Sequence, residues 1–274
     1  MLLKKGTSNT QIILVHPAGG DILSYYDLAE QFEDTFTVYG LQNPHFDVND
    51  ATINAMASRY LELVRREIPN GNYIFGGWSM GALVGFEMAK QLEESTTQKV
   101  PVILLDQKAP SSNLASNKVI EKIDRLSVFA EKIEHLVGQK TSITKDSLTG
   151  LTEKEQSALF LKEFKKNNLV PEEVDLAQFH GFLDKTILHN EITMDYQTTV
   201  YDGPVMLIRA EDSTFVTDEF ENAVCYGWSN YTEANNFQII PTKGNHITLI
   251  RPPFVIEMAK HLNKLLSTIY QPRY

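Results

Sequence analysis

The chain has 274 residues, of which 42% are hydrophobic, and it carries a formal net charge of −10. An acidic surface repels phosphate backbones and anionic lipids, so nucleic-acid partners and membrane surfaces are not expected. The single cysteine, Cys225, excludes an internal disulfide and a cysteine-based metal cluster. The N-terminus lacks the long apolar segment of a signal peptide, and a cytoplasmic protein is therefore expected.

The first 110 residues alternate between two patterns. Continuous apolar, β-branched runs predict strands buried on both faces, and apolar residues at helical spacing predict helices between them. Such alternation predicts a parallel sheet covered on both faces by helices. The predicted elements are strand 11–15, helix 24–32, strand 37–41, helix 53–68, strand 73–75, helix 82–92 and strand 101–106.

This alternation breaks from residue 111 to about 200, where no buried strand is evident. We call this segment the helical insertion. A capping box formed by Thr152 and Glu155 predicts the start of one of its helices, and 174–196 is predicted to form one or two more. The sheet resumes afterwards with strands 204–210 and 237–240, and a final helix follows over 254–267.

The most specific motif is GWSMG at residues 77–81, which matches G-x-S-x-G between a predicted strand and a predicted helix. That order is the context of a nucleophile elbow, in which the serine stands at the tip of a strained turn. Glycine is needed on either side, since larger side chains would collide with the neighbouring strand and helix. Ser79 is therefore the candidate nucleophile, rather than part of a plain structural turn.

A serine hydroxyl needs a base within hydrogen-bond reach, and the base needs an orienting acid. His246 is the best candidate base among seven histidines, because it follows the last strand and completes the order serine, acid, histidine. His16 is expected to shape a loop after the first strand. His135, His180 and His189 lie in the helical insertion, where surface positions are expected rather than a substrate channel.

Two acids compete for the third position. Asp106 and Asp212 each follow a predicted strand, and spacing alone does not separate them. The oxyanion hole is expected from two backbone N–H groups, those of Met80 and Ala18. Met80 directly follows the candidate nucleophile. Ala18 is the better donor in the loop after the first strand, because its neighbour Pro17 has no N–H. No phosphate loop, dinucleotide fingerprint or zinc spacing is present, so neither a bound cofactor nor a metal is expected.

Several segments together resemble the thioesterase domains that end nonribosomal peptide and polyketide synthases. The resemblance implies an α/β-hydrolase fold, with a mostly parallel central sheet, helices on both faces and a helical lid insertion. It implies one domain over 1–274, with its core at 1–110 and 201–274 and its lid at about 111–200. The motifs that carry the resemblance are LVHPAGG at 14–20, VYGLQ at 38–42, GGWSMG at 76–81, LLD at 104–106 and GNH at 244–246.

The resemblance also implies a reaction. Ser79 would take an acyl or peptidyl chain from the 4'-phosphopantetheine arm of a carrier protein, and hydrolysis or ring closure would release it. Synthase-terminal members favour Asp106 as the acid, whereas stand-alone editing (type II) thioesterases often place it one strand later.

Other functional hypotheses stay open from the sequence alone. They are an editing thioesterase, a general carboxylesterase or lipase, and a catalytically silent binding domain on the same scaffold. The identity of the acyl chain, the oligomeric state, and the choice between an excised synthase domain and a free-standing enzyme are also open. Six aromatic residues of the helical insertion could line an apolar channel, although packing between its helices is expected for most: Phe129, Phe160, Phe164, Phe179, Phe182 and Tyr196.

Overall fold

The computed structural model describes residues 1–43, 52–110, 122–137, 140–212 and 224–269. Its centre is a seven-stranded sheet with strand order β1-β3-β2-β4-β5-β6-β7. Strand β1 pairs antiparallel with β3, and the other neighbours pair in parallel. The strands are β1 (Leu2–Lys4), β2 (Thr10–Val15), β3 (Phe36–Leu41), β4 (Asn72–Trp78), β5 (Val102–Leu105), β6 (Val205–Ala210) and β7 (Phe237–Thr242).

Helices connect the parallel strands and extend into the helical insertion. All the strands predicted from apolar runs are present, and the short edge strand β1 was not predicted. The helices are α1 (Tyr26–Gln31), α2 (Ile53–Glu67), α3 (Met80–Thr96), α4 (Lys122–Val137), α5 (Lys145–Leu148), α6 (Glu153–Lys166), α7 (Leu176–Met194) and α8 (Phe254–Ile269). Among the described residues, no helix combines the length and the apolar character needed to cross a bilayer.

The sheet separates two hydrophobic cores. Alternate residues of β2 face opposite ways, as the two-residue period of a strand requires. Ile12 and Leu14 pack with α1 and α8 in one core, whereas Ile13 and Val15 pack with α2 and α3 in the other. Burial on both faces explains why the central strands are continuous apolar runs, and the predicted covering of the sheet is confirmed.

Helices α4–α7 form the described part of the helical insertion, between β5 and β6. A third core joins these helices, and the prediction that most of the aromatic residues pack them together is confirmed. Residues 174–196 contribute a single helix, α7, and the capping box of Thr152 and Glu155 is present at the start of α6. The packed rings have centroids 5.1–6.3 Å apart and belong to Phe129, Phe160, Phe164 and Phe179.

Candidate active site

Ser79 lies between β4 and α3 in a strained backbone conformation. Its φ is 56° and its ψ is −131°, a region that residues with a side chain rarely adopt. The turn is held on both sides, because the Ser79 N–H donates to Leu105 O at 3.2 Å and the Ala82 N–H donates to Ser79 O at 2.9 Å. The strand therefore passes directly into the helix, with the serine at the tip of the turn.

Glycines on either side of Ser79 permit this turn. A Cβ on Gly77 would lie 2.5 Å from the carbonyl carbon of Gly81 and 2.6 Å from Val15 O. A Cβ on Gly81 would overlap the same Val15 oxygen. Real Cβ atoms do not approach backbone atoms so closely, and the reason for glycine that was inferred from the motif is confirmed at both positions.

Tyr25 joins the end of β2 to the end of β4. Its hydroxyl donates to Val15 O at 2.5 Å and accepts the Trp78 N–H at 2.7 Å. Burial raises the pKa of Tyr25, so the phenol stays protonated and keeps its donor role. The loop after β2 and the turn after β4 are thus held in fixed register by one side chain that no sequence pattern had singled out.

Asp106 and His246 form a buried pair at the same edge of the sheet. Asp106 follows β5 and His246 lies in the loop after β7, and Asp106 Oδ2 is 2.9 Å from His246 Nδ1. A carboxylate oxygen accepts, so the Nδ1–H of the imidazole donates and Nε2 is the unprotonated nitrogen of the neutral ring. Asp106 is fully buried and His246 is 5% exposed.

The second carboxylate oxygen of Asp106 is also bound. Its Oδ1 accepts the Ala210 N–H at 2.8 Å and the Tyr226 hydroxyl at 3.1 Å. A buried carboxylate requires such partners, because charge removed from water is otherwise costly. Together with the bond to His246, these contacts fix the plane of the carboxylate and, through it, the orientation of the imidazole.

The loop that carries His246 is held by hydrogen bonds between the Asn245 side chain and the backbone that follows it. Gly244 has a φ of 92°, which favours glycine. Asn245 Oδ1 accepts the N–H groups of Ile247 and Thr248, both at 3.0 Å. These bonds make a tight turn and present His246 toward the sheet edge.

Trp78, the residue before Ser79, contacts the same histidine. Its ring lies 5.2 Å from the His246 ring between centroids, and its Nε1–H donates to His246 O at 3.0 Å. The elbow and the histidine loop are therefore in direct contact, although they are more than 160 residues apart in sequence.

The two predicted oxyanion donors lie beside this edge. Met80 is the first residue of α3, so its N–H has no acceptor within the helix. Ala18 lies in a turn closed by a 3.1 Å bond from the Gly20 N–H to Pro17 O. The turn gives the loop after β2 a defined shape next to the elbow.

His16 supports that turn from the core side, as the sequence led us to expect. Its Nδ1–H donates to Pro17 O at 2.8 Å, and its Nε2 accepts the Tyr60 hydroxyl at 2.7 Å. Burial, opposed by the hydrogen bond to Pro17 O and aided by the nearby charges of Lys185 and Arg59, lowers the pKa of His16 to about 4. The imidazole is neutral at physiological pH and acts through hydrogen bonds.

The structure separates the residues that competed on sequence. Asp212 is exposed, and its backbone N–H donates to Gly244 O, whereas Asp106 binds the imidazole.

The surface position expected for His189 is wrong, because this histidine is fully buried. The side chain of His135 lies outside the described residues. Tyr226 was missed because a tyrosine in the segment CYGWSNY, 225–231, carries no sequence signal that links it to Asp106.

The chain matches known proteins over most of its length. A family model described as Thioesterase domain matches residues 10–262. Thioesterase frbE of Dothideomycetidae sp. is 30% identical over 154 residues, which cover 53% of this chain and 60% of that protein. Probable thioesterase gloN of Glarea lozoyensis is 24% identical over 271 residues, which cover 92% of this chain and 88% of that protein. The chain thus spans less than two thirds of frbE.

The fold also matches a solved structure. A four-domain nonribosomal peptide synthetase bound to AMP and glycine aligns with a TM-score of 0.79 and 24% identity. The match covers 97% of this chain and 20% of that much longer one. The fold class expected from the sequence, a mostly parallel sheet with helices on both faces, is confirmed.

Proposed function

Because the chain belongs to the thioesterase domain family, we propose that it releases an acyl or peptidyl chain from the phosphopantetheine arm of a carrier protein. The main observation that supports this proposal is the buried hydrogen bond between Asp106 and His246, at the sheet edge where Ser79 occupies the elbow. Ser79 is the proposed nucleophile, His246 the base and Asp106 the residue that orients it. This is serine hydrolase chemistry on an α/β-hydrolase fold, and no bound cofactor takes part in it.

The acylation step follows from these roles. The Ser79 hydroxyl attacks the thioester carbonyl carbon while His246 Nε2 takes its proton. The carbonyl oxygen becomes an oxyanion, which accepts hydrogen bonds from the backbone N–H groups of Met80 and Ala18. The C–S bond then breaks, and the thiolate of the phosphopantetheine arm takes the proton from the imidazolium, leaving an acyl-Ser79 ester.

The second step regenerates the enzyme. Water, or an amine or hydroxyl of the chain itself, loses its proton to His246 and attacks the ester carbonyl. The bond between the acyl carbon and Ser79 Oγ then breaks, and Oγ takes the proton back from the imidazolium. Attack by water gives a free acid, whereas attack by an amine or hydroxyl of the chain gives a ring. Asp106 stabilises the imidazolium that forms in both steps without itself taking the proton.

The choice of acid supports a subtype. In synthase-terminal thioesterases the acid usually follows the strand that comes after the nucleophile helix. Asp106 has that position here, because it follows β5, which is the strand after α3. We therefore infer a release thioesterase rather than an editing one. The proposed partner is an acyl or peptidyl carrier protein, and α4–α7 are the proposed lid.

Intact-protein mass spectrometry tests this function. Wild type and Ser79→Ala are mixed briefly with acyl-pantetheine thioesters, and oxygen esters with the same acyl groups are run in parallel. We expect an acyl adduct on wild type alone and faster turnover of the thioester. Equal rates on thioester and oxygen ester would instead indicate a general esterase, and an unlabelled Ser79 after fluorophosphonate treatment would indicate a silent scaffold.

A further inference from the structure

Helix α7 of the helical insertion packs directly on the loop that carries Ala18. Side chains one turn apart on one face of α7 touch two loop glycines. A Cβ on Gly19 would lie 2.5 Å from a ring carbon of Phe182 and 3.3 Å from Thr186 Oγ1, and a Cβ on Gly20 would lie 3.2 Å from Lys185 Cδ. Gly19 therefore serves the close approach of α7, whereas a Cβ on Gly20 would first strike Asn43 O, at 2.3 Å. Both glycines also have positive φ values, 101° and 88°.

His189, on the same face of α7, makes a polar bond to this loop. The Gly19 N–H donates to His189 Nδ1 at 3.1 Å. His189 is fully buried, and burial, followed by the proximity of His16 and Lys185, lowers its pKa to about 3. The ring is therefore neutral at physiological pH, with Nδ1 in the unprotonated state that can accept.

The rings of His189 and His16 stack, with centroids 5.4 Å apart and planes 25° apart. His16 approaches the loop from the sheet and His189 approaches it from the helical insertion. The two imidazoles bind consecutive peptide groups: His16 binds Pro17 O, and His189 binds the Gly19 N–H. Ala18 is the residue between those two groups.

This arrangement fixes the direction of the Ala18 N–H. In a trans peptide the C=O and N–H point in opposite directions, and Pro17 O belongs to the same peptide as the Ala18 N–H. The hydrogen bonds from His16 Nδ1 and the Gly20 N–H fix the direction of Pro17 O. The Ala18 N–H therefore points in the opposite direction, away from these two donors. The bond to His189 holds the next peptide plane, and both torsions of Ala18 are thereby restrained.

We propose that His189 is a positioning residue for the oxyanion hole, through which helix α7 of the helical insertion holds the Ala18 N–H in its working orientation. The inference rests on the proposed function, since it concerns a donor to the oxyanion of the same reaction. Its consequence is that the helical insertion contributes to catalysis as well as covering the site, because the loop is correctly held when α7 is docked on it.

The test compares three substitutions on helix α7. His189→Phe keeps a planar ring but removes the acceptor, whereas His189→Asn places a carbonyl oxygen near the position of Nδ1. His180→Phe is the matched control, since that histidine lies on the same helix and contacts Ser157 rather than the loop. Each variant is compared with wild type in kcat and KM on an acyl-pantetheine thioester, in thermal midpoint, and in affinity for a boronic acid that forms a tetrahedral adduct with Ser79.

Loss of a whole oxyanion donor lowers kcat by about 10²–10³-fold, and a misdirected donor should cost less. For His189→Phe we expect kcat to fall by roughly tenfold to a hundredfold with KM little changed, and boronate affinity to weaken by a similar factor. His189→Asn should recover most of both, and His180→Phe should match wild type in kcat, KM and boronate affinity. A residue that merely packs the helix would change the thermal midpoint without this split between kcat and KM and without rescue by asparagine.

Two outcomes would overturn the inference while leaving the proposed function intact. One is a His189→Phe enzyme that turns over thioester as fast as wild type, and the other is an equal loss in His189→Asn and His189→Phe. If His189→Phe does not fold, His189→Gln replaces it, because glutamine places its oxygen near Nε2, and activity retained in asparagine but not in glutamine supports the proposal. Failure of the wild type itself to form an acyl-Ser79 adduct would reject the proposed function instead.

Discussion

Two regions of this molecule each hold a serine, a histidine and an aspartate, and the backbone around the two serines differs. In the helical insertion, Ser157 Oγ lies 2.7 Å from His180 Nδ1, and His180 Nε2 lies 3.6 Å from Asp184 Oδ2. At the sheet edge, the acid and the histidine are both buried and form a shorter bond of 2.9 Å. The sheet-edge set is Ser79, Asp106 and His246, and the insertion set is Ser157, His180 and Asp184.

The two serines show why the presence of the same three residue types does not decide function. Ser79 is partly exposed at the N-terminal end of α3, where the next N–H has no acceptor within the helix. Ser157 is 2% exposed inside α6, where the N–H groups that follow bond to carbonyls of the preceding turn. The insertion set therefore has neither an accessible nucleophile nor donors for an oxyanion, and we expect it to be structural.

The largest expected difference lies between the two serines. Ser79→Ala should lower kcat on an acyl-pantetheine thioester on the order of a millionfold, because the covalent step is lost. Ser157→Ala should leave kcat unchanged and cost about 1 kcal/mol of unfolding free energy for one hydrogen bond. Steady-state kinetics and urea unfolding of both variants measure this, and a large loss of kcat in Ser157→Ala would remove the distinction between the sets.

The two acids give the next largest difference. Asp106→Asn should lower kcat by about 10⁴-fold, since an amide in place of the carboxylate favours the wrong tautomer of the imidazole. Asp184→Asn changes an exposed aspartate and should leave kcat as it is. The measurement is single-turnover acylation of each variant, and normal acylation in Asp106→Asn would transfer the role of acid to another residue, with Asp212 the first to be examined.

Tyr226 should contribute less, because Asp106 keeps its other bonds. Tyr226→Phe removes the 3.1 Å hydrogen bond to Asp106 Oδ1 while the Ala210 N–H remains bound. We expect kcat to fall by about tenfold or less, in line with a loss of roughly 1 kcal/mol. His180→Phe is the comparison in the insertion set, and an equal loss in both variants would indicate a general effect of destabilisation.

The smallest expected effect concerns stability rather than rate. Burial lowers the pKa values of His16 and His189 to about 4 and about 3, below the ordinary value of 6.5. The unfolded chain therefore binds more protons than the folded one between these values and pH 6.5, and stability falls as pH drops through that window. Each histidine contributes at most about 1.4 kcal/mol per pH unit.

Urea unfolding of wild type and His189→Phe between pH 4 and pH 7 measures this contribution. We expect a shallower dependence of the unfolding free energy on pH in the variant, because one of the two buried histidines is gone. Identical slopes would mean that His189 takes up no proton on unfolding in this range.

Much of the sheet was predictable, because short continuous apolar runs that alternate with helices are typical of strands buried on both faces. Strand β1 was missed, since its three residues at the sheet edge are exposed or partly exposed and carry no continuous apolar run. His189 was misplaced for a different reason. Its position on α7 shares a face with Phe182 and Thr186, but a histidine on a helix carries no sign of which neighbour that face meets.

The motif GWSMG, the glycines around it and the strand–helix alternation determined the elbow and the sheet, because steric exclusion acts between residues close in sequence or in adjacent strands. Those local rules named Ser79 and His246 as candidates from the sequence alone. The pairing of His246 with Asp106 instead of Asp212, and the docking of His189 on the loop of Ala18, were decided by tertiary structure. Both depend on distances between segments more than 100 residues apart, which are set by how the helices and strands pack.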